Sequence, residues 1–86
     1  MTNHEFDSSL ESLEGVVERV TFVNGFFSIN VVQITNSSFN YDQGEITVVG
    51  HFGRLQVGKA YRFKGQLQHN YRHGTQFVAK EYQHLD

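Results

Sequence analysis

Apolar and polar residues alternate with a period of two along most of this chain, most cleanly between residues 60 and 69. There Tyr61, Phe63, Gly65 and Leu67 interleave with Arg62, Lys64, Gln66 and Gln68, the record of a strand with one face buried and the other in water. Residues 13–23 carry the same period with a shift of phase: Leu13, Gly15 and Val17 share one parity, Val20 and Phe22 the other. One extra residue near Glu18 and Arg19 restores a continuous inward face. A β-bulge is therefore expected there, the device that bends a strand around a small barrel. Asn24-Gly25 predicts a type I′ hairpin turn, because both residues tolerate positive φ. A second strand follows over residues 26–34, with Phe27, Ile29 and Val31 on one face and Ser28 and Asn30 opposite.

Residues 35–44 (TNSSFNYDQG) are rich in turn formers and read as a longer loop. The third strand, residues 45–52, sets Ile46, Val48, Gly50 and Phe52 against Thr47, Val49 and His51, and a short connection, residues 53–59, leads to the fourth. The fourth strand and the fifth, residues 75–85, are joined by a polar, basic turn in which Gly74 supplies a residue free to take positive φ. Residues 1–12 form a polar, loosely ordered leader. Its apolar positions Phe6 and Leu10, with Leu13 beyond, are too few for a stable helix.

Five regularly spaced strands, with Gly15, Gly50 and Gly65 permitting sharp bends, predict an all-β domain over residues 13–86. The expected architecture is a five-stranded Greek-key barrel of the oligonucleotide-binding (OB) type. An SH3-like barrel is the alternative. A helix between the third and fourth strands distinguishes the OB type, and residues 53–59 have room for one turn at most.

A chain of 86 residues is one domain and buries only roughly 60 to 65% of its unfolded surface, so its core must be well packed. Cysteine is absent, which removes disulfides and Cys-ligated zinc as supports; eight Phe and four Tyr compensate. No apolar run approaches the roughly 20 residues that cross a bilayer, and Glu5, Asp7 and Glu11 are unlike a signal peptide, so a soluble, cytoplasmic protein is expected. Charge is divided along the chain: residues 1–50 hold seven acidic residues against Arg19 alone, whereas residues 51–86 hold six basic against two acidic. The net charge of −2 predicts little non-specific attraction to nucleic acid, so any strong binding needs a local patch.

Leu-Glu-Gly-Val-Val-Glu-Arg-Val-Thr-Phe (residues 13–22), Asn-Gly-Phe-Phe-Ser-Ile (24–29), Thr-Val-Val-Gly-His-Phe (47–52) and Leu-Gln-Val-Gly-Lys (55–59), followed by Gly65, His69, Gly74, Gln76-Phe77 and Tyr82, occur in a telling order. The ordered set resembles the N-terminal barrel of RecD/TraA-type ATP-dependent DNA helicases over residues 13–85. The resemblance implies an accessory domain of a superfamily 1 helicase, related to the alpha subunit of exodeoxyribonuclease V. Such enzymes use ATP and magnesium to move 5′ to 3′ along single-stranded DNA in recombination and repair. This chain has no G-x-x-x-x-G-K-[ST] phosphate cradle, so ATP and magnesium belong to motor domains of a parent chain and no cofactor is expected in these residues. Asn70 stands where such barrels usually carry proline after the histidine, and residues 42–44 close a longer loop between the second and third strands.

Barrels of this type bind single strands on the face of strands two and three, between the one-to-two and four-to-five loops. Phe26 and Tyr71, with Phe39 and Tyr41 behind them, are candidates to stack bases; Arg62, Lys64, Arg72 and His73 are candidates to meet phosphates. The plainer reading makes Tyr71 and Arg72 a hydrophilic turn, and Arg62 and Lys64 a solvated strand face. The competing role is docking on the motor domains or a partner, with Phe39, Tyr41 and Tyr82 as anchors or simply as core. His69 and His73 are four apart but flank a turn with no third ligand, so no metal site is expected. None of the serines lies in a nucleophile elbow, Glu14 and Glu18 read as an exposed strand edge, and no catalytic residue is assigned.

Overall fold

The computed structural model describes residues 10–72 and 74–85, and in it the alternating segments become five strands. These are β1 (Glu11–Asn24), β2 (Phe27–Ser37), β3 (Glu45–His51), β4 (Ala60–Asn70) and β5 (Gly74–Leu85). They close into a barrel in the order β1-β2-β3-β5-β4, with β4 pairing back onto β1. Every pairing is antiparallel except β3 with β5, where Thr47, Val48 and Val49 meet Gln76, Phe77 and Val78 in parallel. That contact ends the SH3-like alternative, in which the middle strands form a meander and β3 would lie beside β4. The all-β OB-type barrel is the observed fold.

The β4 alternation holds as expected: Tyr61, Phe63 and Gly65 point inward and Leu67 packs on the core, while Lys64, Gln66 and Gln68 face water and Arg62 lies half-buried on the outer face. The core is Leu13 and Val17 from β1, Val32 from β2, Ile46 and Val48 from β3, Tyr61 and Phe63 from β4, and Phe77 and Ala79 from β5. The expected bulge is present, since Val17 pairs with Val32 but Arg19 already pairs with Val31, leaving Glu18 as the extra residue. Two further shifts, at Glu14/Gly15 and Val20/Phe22, let the 14-residue β1 coil past both of its neighbours.

The shift after Val20 corrects one expectation: Val20 packs on the core, but Phe22 is turned outward and 48% exposed. On β2, where the sequence left the inward face open, the polar residues turn inward. Ser28 and Asn30 are both fully buried, and Phe27, Ile29 and Val31 lie on the outer wall. The Asn30 amide donates to Ser28 Oγ at 3.1 Å and to the Val48 carbonyl at 3.3 Å, which offsets part of the cost of burying it, while its Oδ1 has no partner among the described residues.

Beyond shifts of one residue at the ends of β3, β4 and β5, boundaries differ in three places. β1 opens at Glu11 rather than Leu13, because Glu11 and Ser12 pair with Gly65 and Lys64; residues 1–9 of the expected leader lie outside the described residues. β2 runs on to Ser37, since Asn36 and Ser37 pair with Glu14 and Leu13, and this ladder overrides the turn propensity of Thr35 to Ser37. The hairpin turn comprises Gly25 and Phe26 rather than Asn24 and Gly25, because Asn24 already pairs with Phe27. The connection at residues 52–59 forms no helix. Its buried Phe52 and Leu55 close that end of the barrel, and the Gln56 N–H donates to Tyr61 Oη at 3.0 Å.

Candidate nucleic-acid interface

The inverted phase of β2 gives the barrel an apolar outer wall. Opposite one another across β2 and β3 stand Phe27 and His51, Ile29 and Val49, and Val31 and Thr47, and β5 continues the rows with Val78 beside Val49 and Gln76 beside Thr47. Val31 and Val49 are buried in the middle of this wall, shielded by their neighbours on the adjoining strands. At its edge Phe22 meets Phe27 at 6.2 Å between ring centroids, and Phe27 meets His51 at 5.4 Å.

Two loops bracket this wall from opposite ends. At the β1–β2 turn, Gly25 takes φ +64 and Phe26 stands at the tip, 77% exposed. The turn is tied to the segment after β3, since the Gly53 N–H donates to the Phe26 carbonyl at 2.7 Å, and exposed Arg54 follows directly. At the β4–β5 turn, Gly74 takes φ +83, the conformation a three-residue hairpin loop needs at its closing position, and the Arg72 N–H donates to Asn70 Oδ1 at 2.8 Å. Tyr71 is thereby thrown fully into solvent, at 104% relative exposure, with Arg72 exposed beside it. By the parallel register Gly74 is level with Glu45 at the start of β3, while the β1–β2 turn lies at the far end near His51. Six strand steps at roughly 3.3 Å put the two tips about 20 Å apart.

Phe26 at one end, and Tyr71 with Arg72 at the other, bracket the same outer wall. Arg62 and Lys64 do not join them: they lie on the outer face of β4, which pairs with β1 and β5 and is not adjacent to β2 or β3. Arg62 is held there by Glu14 at 2.8 Å and by Gln83. His73 lies outside the described residues. Phe39 is not a free platform, because it stacks on Phe77 at 5.7 Å and caps the core, with Tyr41 edge-on to it. Tyr82 is intermediate, 48% exposed but packed on Phe52 at 5.1 Å and near Tyr61. Sequence reasoning missed Phe22, Phe27, His51, Arg54 and Lys80. Only the fold brings these together: Lys80, the extra residue of β5 at the shift opposite Lys64 and Gly65, lines one surface hollow with His51 and Val78, and Arg54 is placed by the bond between Gly53 and Phe26.

The electrostatics of the wall are uneven. Near the β4–β5 turn, Gln33 Nε2 donates to Glu18 Oε1 at 2.6 Å and to Glu45 Oε1 at 3.3 Å, and Arg19 pairs with Glu18 at 2.8 Å. The Gln33 bond, aided by the Glu45 bond and by Arg19, holds the Glu18 carboxyl below its ordinary value. Glu45 is pushed up, because it bonds to Glu18 and its charged form is repelled by that carboxylate. Lowering makes Glu18 stabilising above its unfolded value, with that contribution lost on acidification; raising makes ionised Glu45 unfavourable, so the two act in opposite senses. Carboxyl-detected NMR titration should find Glu45 protonating at a higher pH than Glu18, and the reverse order would contradict this geometry. Among the described residues no three His, Asp or Glu side chains group as metal ligands, and His69 Nδ1 lies 2.9 Å from Thr75 Oγ1.

In a comparison with protein families, residues 10–85 fit the family described as the OB-fold domain of the ATP-dependent DNA helicase YrrC. No curated protein matches the chain.

Proposed function

Because the chain belongs to the family of the OB-fold domain of the ATP-dependent DNA helicase YrrC, we propose that it is a non-catalytic accessory domain that engages single-stranded DNA for an ATP-driven motor. The observation that carries this reading is the pair of exposed rings, Phe26 and Tyr71, each next to an exposed arginine, at the two ends of one apolar wall. Every base has a π-face, so such rings bind without regard to sequence, each contributing about 1–3 kcal/mol. The floor of Ile29, Val49 and Val78 offers no side-chain donors or acceptors to base edges, which again favours indifference to sequence. Arg54, Arg72 and Lys80 are the cations placed to meet phosphates. A span of about 20 Å falls within the roughly 4 to 16 nucleotides an OB fold covers. ATP, magnesium and translocation belong, on this reading, to motor domains of the same parent chain, a RecD-like 5′ to 3′ helicase akin to the exodeoxyribonuclease V alpha subunit and serving recombination and repair.

A fluorescein-labelled oligothymidine titration tests the reading. Three phosphate contacts predict a slope of log affinity against log salt near about −2. Alanine at Phe26 or at Tyr71 should each weaken binding about tenfold, whereas alanine at Arg62, already paired with Glu14, should leave it within about twofold. Half-exposed Tyr82, away from both loop tips, favours the second role, packing against the motor domains without touching DNA. The absence of oligonucleotide binding at low salt would replace the first role with that one.

A further inference from the structure

We infer that Asn24 is a site of spontaneous, non-enzymatic deamidation. It is the last residue of β1, exposed, and followed by Gly25, which is also exposed and has nothing within 4 Å of the position a Cβ would take. Among the described residues no hydrogen bond engages the Asn24 carboxamide or the Gly25 N–H; the turn's tie to the barrel is made by the next carbonyl, that of Phe26. The nucleophile and the electrophile of a five-membered ring closure are thus adjacent, solvated and unshielded by a side chain.

In the reaction, hydroxide removes the Gly25 amide proton and the nitrogen attacks Cγ of Asn24. A new C–N bond forms, the Cγ–Nδ2 bond breaks, and ammonia leaves with a proton from water. Water then opens the succinimide at either carbonyl, giving aspartate or isoaspartate. No oxidant, metal or enzyme is needed.

The other asparagines of the described region lack these conditions. Asn30 is fully buried with its amide bonded to Ser28 and Val48. Asn36 is followed by half-buried Ser37, whose Cβ hinders the attacking nitrogen as glycine does not. Asn40 and Asn70 are each followed by tyrosine, whose bulk shields the attacking nitrogen, and Asn70 Oδ1 also accepts the Arg72 N–H. The product puts a new negative charge two residues from Phe26, on the turn that Gly53, the neighbour of Arg54, bonds to. If single-stranded DNA is bound as proposed above, aged protein therefore binds it more weakly, a consequence that rests on that reading while the modification itself does not.

The experiment is incubation of the purified chain at pH 8 and 37 °C, native and in urea, followed by peptide mass mapping with isoaspartate detection. Acid formation in the native protein concentrated at Asn24, and lost in Asn24→Gln, is the expected result. Gly25→Ala should slow it about tenfold by restricting the backbone and shielding the nitrogen; should that variant not fold, Asn24→Gln alone decides. Native protein that stays intact at Asn24 while the urea-unfolded chain reacts, or acid spread over other asparagines, would overturn the inference. Oligonucleotide affinity of the separated deamidated form is read independently, so an unchanged affinity counts against the DNA reading and leaves the modification standing.

Discussion

Gly65→Ala should unfold the barrel. An added Cβ would land on the Val78 carbonyl oxygen and lie 2.8 Å from Ala79 Cα, so the obstruction is backbone of the partner strand rather than the end of a flexible side chain. Nor can β4 back away, because Gly65 is paired with Ala79 of β5 on one side and Glu11 of β1 on the other, at the register shift after Lys64. Relief requires parting the seam that joins three strands. The expected loss exceeds about 4 kcal/mol, comparable with the whole stability of a small domain, which is typically about 5–15 kcal/mol. Gly44→Ala is the control, since nothing lies within 4 Å of its Cβ position, and it should stay within about 0.5 kcal/mol of the parent. Circular dichroism melting distinguishes the two, and a Gly65→Ala protein that melts near the parent temperature would refute the close approach.

Phe77→Ala carries the next largest effect. The ring is fully buried on β5, and Phe39 from the β2–β3 loop stacks on it at 5.7 Å, so the truncation both opens a cavity and removes the surface on which that loop rests. A loss of about 3–5 kcal/mol is expected in urea unfolding, because a rigid closed barrel collapses poorly into the gap. Phe77→Leu, which keeps most of the volume, should lose roughly half as much. A loss below about 1 kcal/mol for the alanine variant would mean that the barrel interior is not packed as described.

The sequence made the period of each strand readable but not always its phase. In β4 the two coincide, because large apolar residues alternate with charged and amide ones and only one assignment buries Phe63. In β2 both parities are plausible to a reader of residues alone, and the fold turns Phe27 and Ile29 outward. Ser28 pairs with Gly50, over which the Phe52 ring lies, so the interior at that level has room for a small residue only. One step further, the Asn30 amide donates to Ser28 Oγ two residues back and to the Val48 carbonyl, the second a contact too distant in sequence to be foreseen.

The same limit governs the candidate site. Phe26, Tyr71 and Arg72 were legible because they sit in turns, where local chemistry dictates exposure. Arg62 and Lys64 looked equivalent to them by charge, and only the strand order β1-β2-β3-β5-β4 separates their wall from that of the loops. Arg54 and Lys80 became visible only in the fold, through the bond of Gly53 to Phe26 and the hollow that Lys80 shares with His51 and Val78. Turn chemistry is local and can be read in the chain. Which wall a strand residue faces is a property of the closed ring.

Amide chemical-shift mapping of the chain with an oligothymidine at low salt tests the central claim most directly. The predicted result is a continuous set of perturbations over Phe26, Phe27, His51, Arg54, Tyr71, Arg72 and Lys80, with Arg62, Lys64 and their β4 neighbours unmoved. Shifts centred on the Arg62 and Lys64 wall, or none anywhere, would contradict it.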